Sequence, residues 1–153
     1  MGVLYLIFER LSYLALSSIV NPILLNFHLQ RGVILCKAVI FHNGFKHVAE
    51  HMAFDPGASY TIVSPRIISS AGITFVNTET VETIGVTGSI VLPKITVQQI
   101  GIQGANAQNV EILVGDLPKK LGLDGLLGYS FLKNFEIITI NYRQKELILE
   151  AVA

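Results

Sequence analysis

A single cysteine, Cys36, is all that the 153 residues contain, which excludes an internal disulfide and any multi-cysteine metal site. A reducing compartment is compatible with that count. Charge is scarce as well: Asp, Glu, Lys and Arg make up 14% of the chain, and the formal net charge is zero. No Lys/Arg cluster stands out, so the electrostatic footprint of a nucleic-acid binder is missing and no such partner is expected. There is no internal repeat and no low-complexity tract. Nor is there a clean apolar run of the about 20 residues that a bilayer span takes. The greasiest stretch, residues 1–27, is broken by Glu9-Arg10 and again by Asn21-Pro22. Its start is apolar rather than basic, unlike a signal peptide.

What remains is apolar: 51% of residues are hydrophobic, in a length that suits one domain with its own core. The sequence divides into an apolar N-terminal extension, residues 1–31, and a domain over residues 32–153. The extension is expected to be a helix packed on the domain or on a partner, or else to serve membrane contact or export through residues 1–27, or to be a segment not used in the mature protein. A cytoplasmic location, with or without that membrane contact, is the matching expectation.

From Gly32 onward the pattern becomes strand-like. Val33 to His42 is rich in aliphatic and β-branched residues, and Asn43-Gly44 follows, the strongest short-range hairpin signal. Phe45 to Phe54 then alternates. Phe45, His47, Ala49, His51 and Ala53 fall on one face, and Lys46, Val48, Glu50, Met52 and Phe54 on the other. Ser64-Pro65 reads as an N-cap and first position of a short helix that Gly72 closes. Thr80 to Val86 and Ser89 to Ile102 read as two strands joined around Thr87-Gly88, with Pro93 marking an edge or a bulge. Val110 to Val114, Glu136 to Tyr142 and Lys145 to Leu149 complete the strands, and Tyr129 to Asn134 is a short helical pattern. Many short strands and one or two helical turns predict a small, mainly β barrel.

His42, His47 and His51 lack an acidic or cysteine partner placed to complete a tetrahedral set, so they read as ordinary strand histidines and no metal site is expected. Cys36 reads as a small core residue, and Tyr129 and Tyr142 as packing residues.

One position is out of character. Asp55 ends an apolar strand and is turned back by Pro56 and Gly57, and a carboxylate rarely sits there unless it is hydrogen-bonded, paired or used. Taken alone, Asp before Pro-Gly also reads as a plain turn. Further on comes Gly122-Leu123-Asp124-Gly125-Leu126-Leu127-Gly128 ahead of the second helical pattern. Asp55-Pro56-Gly57-Ala58-Ser59 upstream, with Leu126-Leu127-Gly128 downstream, resembles the retroviral-type (retropepsin-like) aspartic proteases and their cellular relatives over about residues 33 to 150.

The resemblance implies a closed β-barrel of the acid-protease type and an aspartic endopeptidase that hydrolyses peptide bonds without metal or cofactor. Asp55 would be the catalytic residue, with Gly57, Ala58 and Ser59 forming the loop beside it. Gly85, Val86, Thr87 and Gly88 would form the tip of a flap over an extended peptide substrate, and Leu126, Leu127 and Gly128 the segment beside the catalytic loop. Such chemistry needs two carboxylates sharing a proton. Only one Asp-x-Gly-Ala segment is present; Asp124-Gly125 and Asp116-Leu117-Pro118 do not repeat its context. The second carboxylate is therefore expected from a second copy, in a homodimer with one Asp55 from each subunit.

Pro56 departs from the pattern. The family carries Thr or Ser there, whose hydroxyl and N–H link the two catalytic loops across the dimer. Proline offers neither donor. It favours extended geometry at Asp55, so the loop shape survives while cross-dimer bonds of about 0.5–1.5 kcal/mol each are lost. Two readings stay open: a protease, slowed by this loss, and a catalytically impaired pseudo-protease that binds peptides or a partner chain in the same cleft.

Overall fold

A computed structural model describes residues 22–85 and 87–151. Among these described residues, eleven strands and two short α-helices follow one another. They are β1 (Ile23–Asn26), β2 (His28–Gln30), β3 (Val33–His42), β4 (Phe45–Phe54) and β5 (Thr61–Val63), then helix α1 (Pro65–Ser70). Next come β6 (Thr80–Gly85), β7 (Gly88–Ile102), β8 (Ala105–Val114) and, after one 3-10 turn (Lys119–Leu121), β9 (Gly125–Leu127). Helix α2 (Tyr129–Leu132) and strands β10 (Phe135–Asn141) and β11 (Glu146–Ala151) complete the order.

The larger sheet runs β2-β3-β4-β9-β5-β8-β7-β6, and a further pairing of β3 with β7 closes the strands from β3 to β7 into a ring, leaving β2 and β6 outside it. The fold is thus mainly β with two short helices, as the strand pattern predicted. Ile40, Met52, Ile67, Ile100, Ile112, Leu127 and Phe131 fill the interior, each at most 1% exposed. Asn43-Gly44 makes the first hairpin turn, both residues at positive φ (49° and 81°). Ser64 caps α1 by accepting from the Ile67 N–H through its hydroxyl, with Pro65 at the first position.

The N-terminal boundary differs from the expectation. Residues 1–21 of the expected helical or membrane-contacting segment lie outside the described residues. Residues 23–30 are not helical: β1 pairs with β11 in a second, three-stranded sheet (β1-β11-β10), and β2 pairs with β3. Leu25 and Phe27 are buried in the core, and Tyr142 packs edge-on against Phe27 with ring centroids 6.3 Å apart. Their partners lie more than a hundred residues away in the chain, beyond the reach of any local pattern.

The alternation in β4 breaks for a nameable reason. Cys36 faces Met52 but Ala38 faces Ala49, so Glu50 and His51 oppose a single residue of β3. This bulge carries the inward face from Ala49 to Met52 and Phe54, all buried. The His51 backbone turns to the other neighbour instead: its N–H donates to Asp124 Oδ2 (3.1 Å) and its carbonyl accepts from the Asp124 N–H (2.9 Å).

Cys36 sits in the core as expected, and burial pushes its thiol from 9.0 up to about 12. The neutral thiol is a poor nucleophile. The native protein should therefore react with a chromogenic thiol reagent at about pH 8 only after denaturant is added. The sign of the alkaline effect follows. The unfolded thiol ionises first, so stability should decline as pH climbs from 9.0 toward 12, and chemical melts across that range would register the loss. Rapid labelling of the native protein would contradict the buried assignment.

Candidate active site

Strand β4 delivers Asp55 to the lip of the ring, and backbone bonds then fix it there. The Asp55 N–H donates to Leu127 O (3.0 Å), continuing the parallel pairing of β4 with β9 in which Phe54 faces Leu127. The chain reverses at once: the Ala58 N–H donates to Asp55 O (3.2 Å), and the Gly57 N–H donates to the carboxylate Oδ1 (3.0 Å). One carboxylate oxygen is thereby oriented by the loop's own backbone, an Asx-type turn. A side chain at position 57 would put its Cβ 3.3 Å from that oxygen, so glycine keeps the approach open.

The loop is tied to the downstream motif at three more points. The Tyr129 N–H donates to Ala58 O (2.7 Å), the Gly128 N–H to Thr61 Oγ1 (3.1 Å), and the Thr61 N–H to Ser130 Oγ (2.9 Å). Thr61 and Ser130 are buried, and each satisfies a backbone donor that no strand partner reaches. Neither was singled out from the sequence. A Thr opening an apolar strand, and a Ser one residue into a helix, carry no signal that sets them apart from ordinary residues.

Above the loop lies a cleft of about 710 Å³. Asp55, Gly57, Ala58, Ser59 and Leu126 line one wall, and Gly85, Thr87 and Gly88 line the other. The structure thus brings together eight of the eleven residues named from the sequence. Leu127 and Gly128 stand behind the cleft wall, where they hold the loop instead of facing a ligand. Val86 lies outside the described residues. Tyr60, Ile62, Thr83, Ile84, Ser89 and Ile90 also line the cleft and were not named individually from the sequence, although Thr83, Ile84, Ser89 and Ile90 belong to the expected flap. They flank the motif residues at one or a few positions, which was the signal available.

The expected flap is the hairpin β6–β7, paired from Thr80 opposite Pro93 to Gly85 opposite Gly88 at its tip. Pro93 lies at an edge, as expected: up to this residue β7 pairs with β6 alone. Beyond it β7 leaves β6 and pairs with β8, beginning with Lys94 opposite Leu113.

The remaining acidic candidates do other work. Asp124 is buried and bonds the His51 N–H, while Arg66 from α1 forms an ion pair with its other oxygen. Its carbonyl accepts from the Ser64 N–H (2.9 Å). Asp124 therefore clamps β4, β9 and the start of α1 together, and Asp116 is exposed beyond β8. Among the described residues of the cleft wall, Asp55 is the only carboxylate. No three His, Cys, Asp or Glu side chains gather where an ion could sit, again among the described residues.

Comparison with known proteins agrees with this geometry. The family model described as "gag-polyprotein putative aspartyl protease" matches residues 43–134. No curated protein matches the chain. The crystal structure of a retropepsin-like aspartic protease from Rickettsia conorii is similar, with a TM-score of 0.62 and 22% identity. That match covers 86% of this chain and 91% of the other, and at this identity it speaks for the fold. Both motif segments, at Asp55 and at Leu126-Leu127-Gly128, fall inside the matched residues, and the chain belongs to the retropepsin-like family of aspartic proteases.

Proposed function

We propose that this protein is an aspartic endopeptidase that works as a homodimer, each subunit contributing Asp55 to one shared cleft. The observation that carries the reading is the placement of Asp55. It is a lone carboxylate at the wall of a peptide-sized cleft, beneath a hairpin, with one oxygen oriented by the Gly57 N–H. Two such groups across a two-fold axis share one proton, because both cannot ionise easily at close range. The ionised carboxylate takes a proton from a lodged water as its oxygen bonds to the scissile carbonyl carbon. The protonated one donates its hydrogen bond to the carbonyl oxygen. Collapse of the tetrahedral intermediate then returns a proton to the leaving nitrogen and breaks the C–N bond.

The cleft wall suggests what is cut. Apart from Asp55 and the Tyr60 phenol it carries no ionisable group, and Ala58, Ile62, Ile84, Ile90 and Leu126 give it apolar patches among the hydroxyls of Ser59, Thr83, Thr87 and Ser89. An extended segment with uncharged, apolar side chains suits it, held as an added strand through main-chain hydrogen bonds. The test is cleavage of a mixed peptide pool at mildly acid pH, inhibited by pepstatin, together with the solution mass. A strict monomer removes the second carboxylate and overturns the reading.

Pro56 favours the second reading, a pseudo-protease that binds without cutting. It is exposed beside Asp55 and has no hydroxyl or N–H to offer a partner loop. Pro56→Thr should raise kcat/KM about tenfold or more if two cross-dimer hydrogen bonds of roughly 1 kcal/mol each are restored. It should also tighten the dimer, which sedimentation at falling concentration would register. An unchanged rate would show that the missing hydroxyl is not what limits this site.

A further inference from the structure

Lys94 stands where β7 passes from flap to barrel. The hairpin β6–β7 is registered along its length, so it can swing as a unit only about its base. At that base the Lys94 N–H donates to Glu79 O (2.7 Å). The side chain then reaches both ways. Its Nζ lies 3.0 Å from a carboxylate oxygen of Glu79, just ahead of the flap's first strand, and 3.3 Å from one of Glu111, on β8 of the barrel wall. Among the described residues it is the one cation paired with two carboxylates. The Lys94 side chain is 19% exposed, against 57% for Lys37 in its pair with Glu50, while Glu79 and Glu111 are 66% and 39% exposed, so the sheltered member of each pair is the ammonium.

We propose that Lys94 is a positioning residue for the flap: its ammonium, shared between Glu79 and Glu111, holds the hairpin base to the barrel wall and sets how readily the flap opens. One partner travels with the moving element and the other stays with the fixed one, which is the arrangement a latch requires. Hydrogen bonds to Glu79 and then to Glu111 raise the Lys94 pKa above its ordinary value, so the cation persists at every pH at which carboxylate chemistry operates. Its catalytic consequence rests on the protease reading; its mechanical consequence does not.

Lys94→Met keeps the aliphatic stem and removes the charge, and Glu111→Gln leaves the shape of the acceptor. Hydrogen exchange on the full chain, resolved by peptide, should be faster across residues 80–93 in each variant by about threefold to tenfold. Strands β10 and β11 should exchange as in the wild type, and the double variant should be no faster than the faster single one. In turnover, KM should rise by a similar factor with kcat nearly unchanged. Unaltered flap exchange, or exchange raised equally in flap and barrel, would overturn the proposal. Raised flap exchange with no turnover even in the wild type would defeat the protease reading and leave the latch standing.

Discussion

Replacing Asp55 by Asn should abolish peptide hydrolysis while leaving the fold and the dimer in place. Asn has the shape of Asp, and its Oδ1 can still accept from the Gly57 N–H at the position where that bond now measures 3.0 Å. The loop's other ties run through backbone atoms: the Asp55 N–H to Leu127 O and the Ala58 N–H to Asp55 O. What disappears is the ability to take a proton from water and to hand one back. General acid–base groups contribute about 10² to 10⁴ in rate, and both carboxylates vanish at once in a symmetric dimer, so a loss of at least about 10³ in kcat is expected. The melting temperature should stay within about 3 °C of the wild type. Symmetry supplies a second readout. If subunits exchange freely, an equal mixture of wild-type and Asn chains holds about a quarter of its dimers with two carboxylates. Its activity should then fall to that fraction rather than to one half. Activity proportional to the amount of wild-type chain would mean that each subunit works alone, and the shared dyad would be abandoned.

What could be read from the chain was what local chemistry writes into it. Asn43-Gly44 and Ser64-Pro65 each demand a particular backbone, and each made the turn or cap expected of it, while Gly85 stands opposite Gly88 at the end of the flap hairpin. Asp55 was legible because a charge in an apolar setting needs a reason. The rest depended on partners far away in sequence. The bulge at Glu50-His51 exists because Asp124, just ahead of β9, takes up the His51 N–H and carbonyl that β3 gives up. From the sequence Asp124 could be weighed only as a second acid, and its work as a clamp appears once β4, β9 and Arg66 are side by side. Strand β1 was hidden in the same way, since its apolar residues fit a helix as well until β11 is set beside them. Local periodicity records which face is buried but not which strand buries it.

Gly128→Ala tests whether the downstream motif holds the Asp55 loop in place, and it should cost about 3 kcal/mol or more. The penalty is not conformational. Gly128 has φ −104° and ψ −169°, extended backbone that alanine adopts freely. It is purely one of space: an added Cβ would lie 2.3 Å from Tyr60 O, 2.6 Å from Tyr60 C and 2.8 Å from Ala58 O. All three are backbone atoms, and none can swing aside as a side-chain end would. Ala58 O is held by the Tyr129 N–H, and Tyr60 leads directly into β5, which is fixed between β8 and β9. Relief must come from pushing the Asp55 loop away from α2, which would also misplace the carboxylate. Gly122→Ala is the natural control. That residue sits at φ +63° with nothing within 4 Å of its Cβ, so alanine there meets backbone strain alone, about 1–2 kcal/mol. Urea melts should therefore rank Gly128→Ala well below Gly122→Ala, and any Gly128→Ala protein that stays folded should have lost most of its turnover. A Gly128→Ala midpoint equal to that of the wild type would mean that the loop and α2 do not pack as closely as described, and that Asp55 is not held by the segment behind it.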